Sequence, residues 1–141
     1  MKNIYEVFDD FEEVTSKKER MAVIEKNLSK LLVDVLQLTY HPDYQWLITE
    51  MPEGYRIPSD NLPGLAKTQL SVEMRKLYLF RKGDQNAEQL TPQKRTQLLL
   101  QLLECLEPRE AEVVIGILQK DQGVKGLNYK FVKEAFPDLL P

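Results

Sequence analysis

The chain has one cysteine, one histidine and one tryptophan among its 141 residues. A single cysteine excludes an internal disulfide framework and fits a reducing compartment. A single histidine means that any Ser–His–Asp or Cys–His arrangement would have to use His41, with Cys105 as the thiol. Cys105 falls mid-face on what reads as the most buried helix, where a cysteine is a small core residue. His41, just before Pro42, reads as a loop hydrogen-bonder rather than a base. No Cys/His cluster and no carboxylate–histidine pair stands at ligand spacing. A Walker loop and a dinucleotide fingerprint are both missing. The expectation is a protein with no catalytic site, no cofactor or metal and no small-molecule substrate. Apolar runs all fall short of the roughly 20 residues needed to cross a bilayer. The opening residues Met1 to Glu6 lack the apolar stretch of a signal peptide. The expected compartment is the cytoplasm, with no membrane partner. No period of 20–50 residues recurs, which excludes a solenoid.

The charge is nearly balanced, at −3 net, so the chain as a whole is no electrostatic magnet for nucleic acid. Its distribution is uneven. From Met1 to Leu62 acids outnumber bases twelve to seven, and from Pro63 to Pro141 bases lead twelve to ten. The first helical stretch carries Glu6, Asp9, Asp10, Glu12 and Glu13, which read as a solvated acidic face. Basic pairs follow at Arg75–Lys76, Arg81–Lys82 and Lys94–Arg95, then single lysines at Lys120, Lys125, Lys130 and Lys133. Either the C-terminal half presents a one-sided basic patch, or these are solvated faces of mixed sign.

The periodicity is helical throughout. Ile4, Val7, Phe8, Phe11 and Val14 line one face of a short helix. Ser16 to Glu19 reads as a capping box that opens a second helix, with Met21, Ile24 and Leu28 inward. Asn27 or Ser29 can cap a third, with Leu31, Leu32, Val35, Leu36 and Leu38 as a broad apolar surface. From Tyr40 to Leu65, four prolines and two glycines break the pattern. This stretch is expected to be a long packed loop holding Tyr40, Tyr44, Trp46, Ile48 and Tyr55, with one helical turn around Tyr44–Ile48. Residues 67–81 favour a helix, and 82–86 read as a break. Thr91–Pro92 opens the expected central helix, with threonine as cap and proline at the first helical position. Glu107–Pro108 starts the next, and a last short helix spans about Asn128–Phe136. The expected fold is all-α: a compact single domain over 1–141 with six or seven short helices. Its predicted core contains Leu98, Leu99, Leu102, Cys105, Leu106, Val114, Ile115, Leu118, Phe131 and Val132.

The segment Asp121 to Asn128, with Gly123 and Gly126, has two readings. It is either a plain helix–helix turn that needs glycine for its backbone angles, or a phosphate-holding turn that leads into a helix N-terminus. Lys125 and Lys130 would add charge in the second case.

Two stretches carry a resemblance that bears on this choice. Ala22 to Asn27, followed by Leu38-Thr39-Tyr40 and Tyr44 to Ile48, resembles the opening of the N-terminal helical DNA-binding domain of T-even-type phage ATP-dependent DNA ligases. Asp121 to Gly126 and Lys133 to Pro141 resemble that domain's closing segment, where a glycine turn meets the minor-groove side of nicked duplex. The likeness spans about Ile4 to Pro141 and is patchy in the middle. The chain is also similar to an uncharacterised family of small proteins in T-even-like tailed phages, through Tyr78 to Gly83, Glu112 to Ile115 and Glu134 to Pro137. The ligase nucleotidyl-transfer motif, Lys-x-Asp-Gly, occurs nowhere, so ligation does not carry over. Lys125 stands where the ligases tend to have an apolar residue, and one residue is inserted in that turn.

The resemblance implies a non-catalytic accessory of phage DNA metabolism that binds duplex DNA by its backbone, without sequence specificity. The DNA-binding residues expected on that basis are Gly123, Lys125, Gly126, Asn128 and Lys130, helped by Arg81, Lys82, Lys94 and Arg95. The alternative is a protein–protein adaptor that keeps the ligase-like fold and binds a phage replication protein or a host factor. The acidic first helix favours this second reading.

Overall fold

Short polar side chains set most of the helix starts, and they do so where the sequence places them. The computed structural model describes residues 2–56 and 66–141. Ser16 accepts the Glu19 amide and opens α2 (Lys17–Lys26). Ser29 accepts the Leu32 amide and opens α3 (Lys30–Tyr40), while Asn27 closes α2 instead. Thr91 accepts the Lys94 amide at the start of α6 (Pro92–Glu104). Asn128 accepts the Phe131 amide at the start of α8 (Tyr129–Ala135). Each such cap satisfies an amide that would otherwise lack a partner. α1 (Ile4–Glu13) uses Asn3 and Glu6 as a capping box.

Among the described residues there are eight α-helices and one 3-10 segment, against six or seven helices expected. The one added helix lies at 85–89, and the helix expected over 67–81 is present in a shorter, tighter form. Residues 70–80 form a single α-turn, α4 (Leu70–Glu73), which tightens into a 3-10 helix over Met74–Phe80. The break expected at 82–86 is present through Asp84 and ends in a helix start. Gly83 makes the turn, and Asp84 accepts the Asn86 and Ala87 amides to open α5 (Gln85–Gln89). The expected helical turn at Tyr44–Ile48 is also absent. Trp46 pairs with Arg81 in an isolated antiparallel bridge, flanked by Leu47 N–H to Phe80 O and Lys82 N–H to Gln45 O, both 2.8 Å. The loop does pack: Trp46 is buried, and Tyr44, Ile48 and Tyr55 lie against the core. Its part from 57 to 65 is outside the described residues.

The central helix is not α6 but α7 (Pro108–Gln119). Every residue from Val113 to Leu118 is buried, and α7 packs against α1, α3, α4 and α6. The run Val113–Leu118 is apolar on all sides and takes the middle, while Arg109, Glu112 and Gln119 of the same helix are exposed. α6 buries one face, Leu99, Leu102 and Leu103, and leaves Leu98 only partly covered. Of the expected core, Leu99, Leu102, Leu106, Val114, Ile115, Leu118, Phe131 and Val132 are buried. Cys105 is not fully buried: it terminates α6, half covered, and its carbonyl accepts the Thr68 amide at 3.1 Å. Leu28 follows the end of α2 and is 55% exposed rather than inward. One contiguous apolar cluster joins residues from α1 through α4 with residues from α6, α7 and α8. No helix among the described residues is long and apolar enough to cross a membrane.

Candidate nucleic-acid interface

α7 ends on Lys120, which sits in the left-handed region at φ 62°. Lys120 N–H donates to Ile117 O, and Asp121 N–H reaches back to Gly116 O, closing the helix in a Schellman-like way. A lysine bears a steric cost in this conformation that a glycine would not. Its side chain explains the choice. Lys120 Nζ donates to Leu38 O at 3.0 Å and His41 O at 2.6 Å, so it caps the end of α3 from across the fold. Burial pushes its pKa down to about 8.

Gln122 fastens the next position. Its amide donates to Thr39 Oγ1 and to Val113 O, both at 3.0 Å, and packs on Gly116. A Cβ at Gly116 would lie 2.5 Å from Gln122 Oε1, which accounts for a glycine inside a helix. Tyr40 completes the clamp. Its hydroxyl donates to Leu127 O at 3.3 Å, and burial raises its pKa to about 12.

The turn itself needs both its glycines: Gly123 has φ 68° and Gly126 φ 86°. Gly126 has a second reason. The Arg20 guanidinium lies against it, and a Cβ there would stand 2.5 Å from Arg20 Nη1. Arg20 in turn covers the face of Phe11, 5.5 Å from the ring centre. Val124 and Leu127 are buried beneath the turn, while Lys125, Asn128 and Lys130 are exposed.

Several amides of the turn are already engaged within the fold. Gly123 N–H donates to Asp121 Oδ1 at 2.8 Å, and Lys125 N–H donates to Glu12 Oε2 at 3.2 Å. Asn128 takes the Phe131 amide at the start of α8. A carboxylate from α1 therefore occupies a position where a phosphate oxygen could otherwise sit. The acidic face of α1 is accordingly not all solvated. Glu12 binds the turn, Asp10 pairs with Lys2, and Asp9 makes a two-point pair with Arg109 at 2.8 and 2.9 Å. That pair holds the Asp9 carboxyl below its ordinary range.

The basic residues expected at the interface divide into two groups. Lys125 and Lys130 stand at the turn and on α8, and Lys17, at the start of α2, reaches α8 through an ion pair with Glu134. Lys17 is thus a neighbour of this surface, although it lies in the N-terminal part of the chain. Arg81, Lys82, Lys94 and Arg95 make no hydrogen bond or ion pair with the turn among the described residues. Arg81 lies over the Tyr44 ring at 4.4 Å, and Lys82 and Lys94 are exposed. Arg95 is committed elsewhere: its Nη2 donates to Ala87 O and Leu90 O, both at 3.1 Å, capping α5. It is a structural cation rather than a free phosphate ligand. Arg20, Glu12 and Gln122 have no local signal in the sequence, since each acts on a residue distant in the chain or on the far side of a turn.

His41 fits its reading as a loop hydrogen-bonder, with Nδ1 accepting the Asp43 amide at 3.0 Å. No group of three metal-ligating side chains occurs among the described residues. Residues 7–125 match a family of unknown function, DUF6433, and the chain belongs to that family. The match runs from α1 into the turn and stops at Lys125, short of α8. No curated protein matches the chain.

Proposed function

We propose that this DUF6433 protein is a non-catalytic accessory of phage DNA metabolism, acting in the host cytoplasm, that holds duplex DNA by its backbone without sequence specificity. The observation that carries this reading is the junction of the two ligase-like stretches. Thr39 and Tyr40 from the first accept hydrogen bonds from Gln122 of the second, and the residues flanking that second stretch add two more, Lys120 to the Leu38 carbonyl and the Tyr40 hydroxyl to Leu127 O. The turn that the resemblance brings to DNA is therefore rigidly mounted, with Lys125 and Lys130 exposed and Lys17 of α2 close by.

Fluorescence anisotropy with nicked, intact and single-stranded DNA across a salt series tests it. Binding in the non-specific range of roughly 10⁻⁴–10⁻⁶ M is expected, with log affinity falling about 0.9 per log salt for each phosphate neutralised. The double reversal Lys125→Glu and Lys130→Glu should remove most of the binding. Reversal of Lys67 and Arg75, which make no hydrogen bond or ion pair with the turn among the described residues, should leave it intact. Equal binding by both variants, or no retention on duplex at low salt, defeats the DNA reading. Labelled ATP with magnesium should leave the chain unmodified, since the nucleotidyl-transfer motif is missing. A stable lysine adduct would overturn the non-catalytic assignment.

A second reading is favoured by one observation, the Glu12 carboxylate on the Lys125 amide. A turn already holding an internal anion suits an adaptor for a phage replication protein or a host factor. Failure on duplex in the salt series would put this reading first.

A further inference from the structure

At the opposite end of α7 from the turn lies a polar cavity of about 310 Å³, lined by Asn3, Tyr5, Thr68, Gln69, Glu107 and Glu110. This is near the lower end of the roughly 300–1,000 Å³ typical of small-molecule sites. Two of its walls are carboxylates. Glu107 is the N-cap of α7 and only 7% exposed. Its Oε1 accepts the Arg109 amide at 3.3 Å, so capping accounts for that oxygen. Capping does not account for Oε2, which is enclosed and has no well-formed hydrogen bond. The Tyr5 hydroxyl lies close enough to donate to this carboxylate, but a buried carboxylate oxygen with so little pairing is costly.

Glu110 stands one turn further along the same face. Its hydrogen bond from Leu70 N–H is a long one, 3.4 Å. Burial first, and the charge of Glu107 after it, raise its pKa. The nearest cation in sequence is turned away. Arg109 pairs with Asp9 and Glu112 and covers the Tyr5 ring at 4.9 Å. Tyr5 OH, which Asn3 Nδ2 approaches at 3.2 Å, adds another acceptor oxygen to the wall. Burial first, then the charge of Glu107 and a hydrogen bond from the Tyr5 hydroxyl to it, raise the Tyr5 pKa and keep that oxygen neutral.

We propose that this cavity binds a small organic ammonium, with its N–H groups shared between the Glu107 and Glu110 carboxylates. The two acids supply the charge complement, and Tyr5, Thr68, Gln69 and Asn3 supply neutral acceptors around it. The space exceeds what a bare metal ion fills, and the donor set lacks the third charged ligand of a metal site among the described residues. The site is independent of the nucleic-acid surface, which lies beyond the other end of the helix.

Calorimetric titration of the full chain with putrescine, and separately with magnesium chloride, at matched ionic strength provides the test. Saturable one-to-one binding of putrescine is expected, with a shift of the Leu70 amide resonance. Glu107→Gln and Glu110→Gln should each weaken it roughly tenfold or more, the equivalent of one charged hydrogen bond. Glu25→Gln, which removes an exposed α2 carboxylate and changes net charge equally, should leave it unchanged. Equal loss in Glu25→Gln, saturation by magnesium without putrescine, or no saturable heat overturns the proposal. If Glu107→Gln fails to fold because α7 loses its cap, Glu110→Gln is sufficient: undiminished binding by that variant overturns the proposal.

Discussion

Replacing Phe11 with alanine is expected to destabilise the protein by about 3–5 kcal/mol, the range for truncating a buried aromatic ring. Phe11 is fully buried, and its ring meets Phe131 edge-to-face with centroids 5.0 Å apart. Such pairs contribute roughly 0.5–1.5 kcal/mol beyond the area they bury. The Arg20 guanidinium also lies over the Phe11 ring, and it covers Gly126 as well. The vacancy would therefore loosen α8 and remove the support of that guanidinium together. Urea denaturation measures the first effect through a lower midpoint at constant slope. Faster amide exchange at Lys125 and Gly126, relative to α6, measures the second. A Phe11→Ala midpoint within error of the parent would mean that α1 is not part of the cooperative core. Phe11→Leu should recover most of the loss, because it keeps apolar volume and forfeits mainly the ring contacts.

How much of the fold is legible in the sequence depends on the distance over which each feature is determined. The caps at Ser16, Ser29 and Thr91 are readable because donor and acceptor lie within three residues. The all-helical class follows from periodicity for the same reason. Asp84 escapes a local reading because Gly83 before it suggests a break, when glycine there only makes room for the cap that follows. The centre of the fold lies one helix later than the strongest stripe suggests. A clean amphipathic stripe such as that of α6 marks a helix with a broad solvent face, whereas the uninterrupted run Val113–Leu118 marks the helix whose middle is enclosed on all sides.

At the candidate site, the glycine requirement at Gly123 and Gly126 is readable in the sequence. What those glycines accommodate is not. Arg20 lies more than one hundred positions from Gly126 in the chain, and Glu12 is 113 residues from the amide it accepts. Charge counting likewise groups Arg95 with the phosphate ligands, and only the fold shows its guanidinium engaged by the carbonyls at the end of α5. A basic residue's sign is written in the sequence, but whether it is free is a tertiary property.

The clamp behind the turn gives the second large expected effect, a reversal of sign between two backgrounds. Alanine in place of Gly116 should gain roughly 1 kcal/mol of helix propensity. In the native background it cannot, because the new methyl would stand 2.5–2.8 Å from the Gln122 side-chain amide. Displacing that amide costs its bonds to Thr39 Oγ1 and Val113 O, about 1 kcal/mol each. Gly116→Ala alone should therefore destabilise by about 1–3 kcal/mol, as other overpacked cores do. Gln122→Ala alone loses the same two bonds and should cost a similar amount. Once Gln122 is alanine the space is open, so adding Gly116→Ala to that variant should stabilise it. The resulting coupling, on the order of 2–4 kcal/mol, lies in the upper part of the range for residues in direct contact or exceeds it. Chemical denaturation of the four proteins in the cycle measures it, and additive effects would show that the glycine serves some purpose other than seating Gln122. The same cycle bears on the turn. Gln122 precedes Gly123 directly, so both Gln122→Ala variants should show faster exchange at the Lys125 amide, whether or not the extra methyl restores global stability. Stability and turn rigidity would then separate in the double variant, which leaves the helix sound and the Gly123–Asn128 segment held only by its Tyr40, Glu12 and Arg20 contacts.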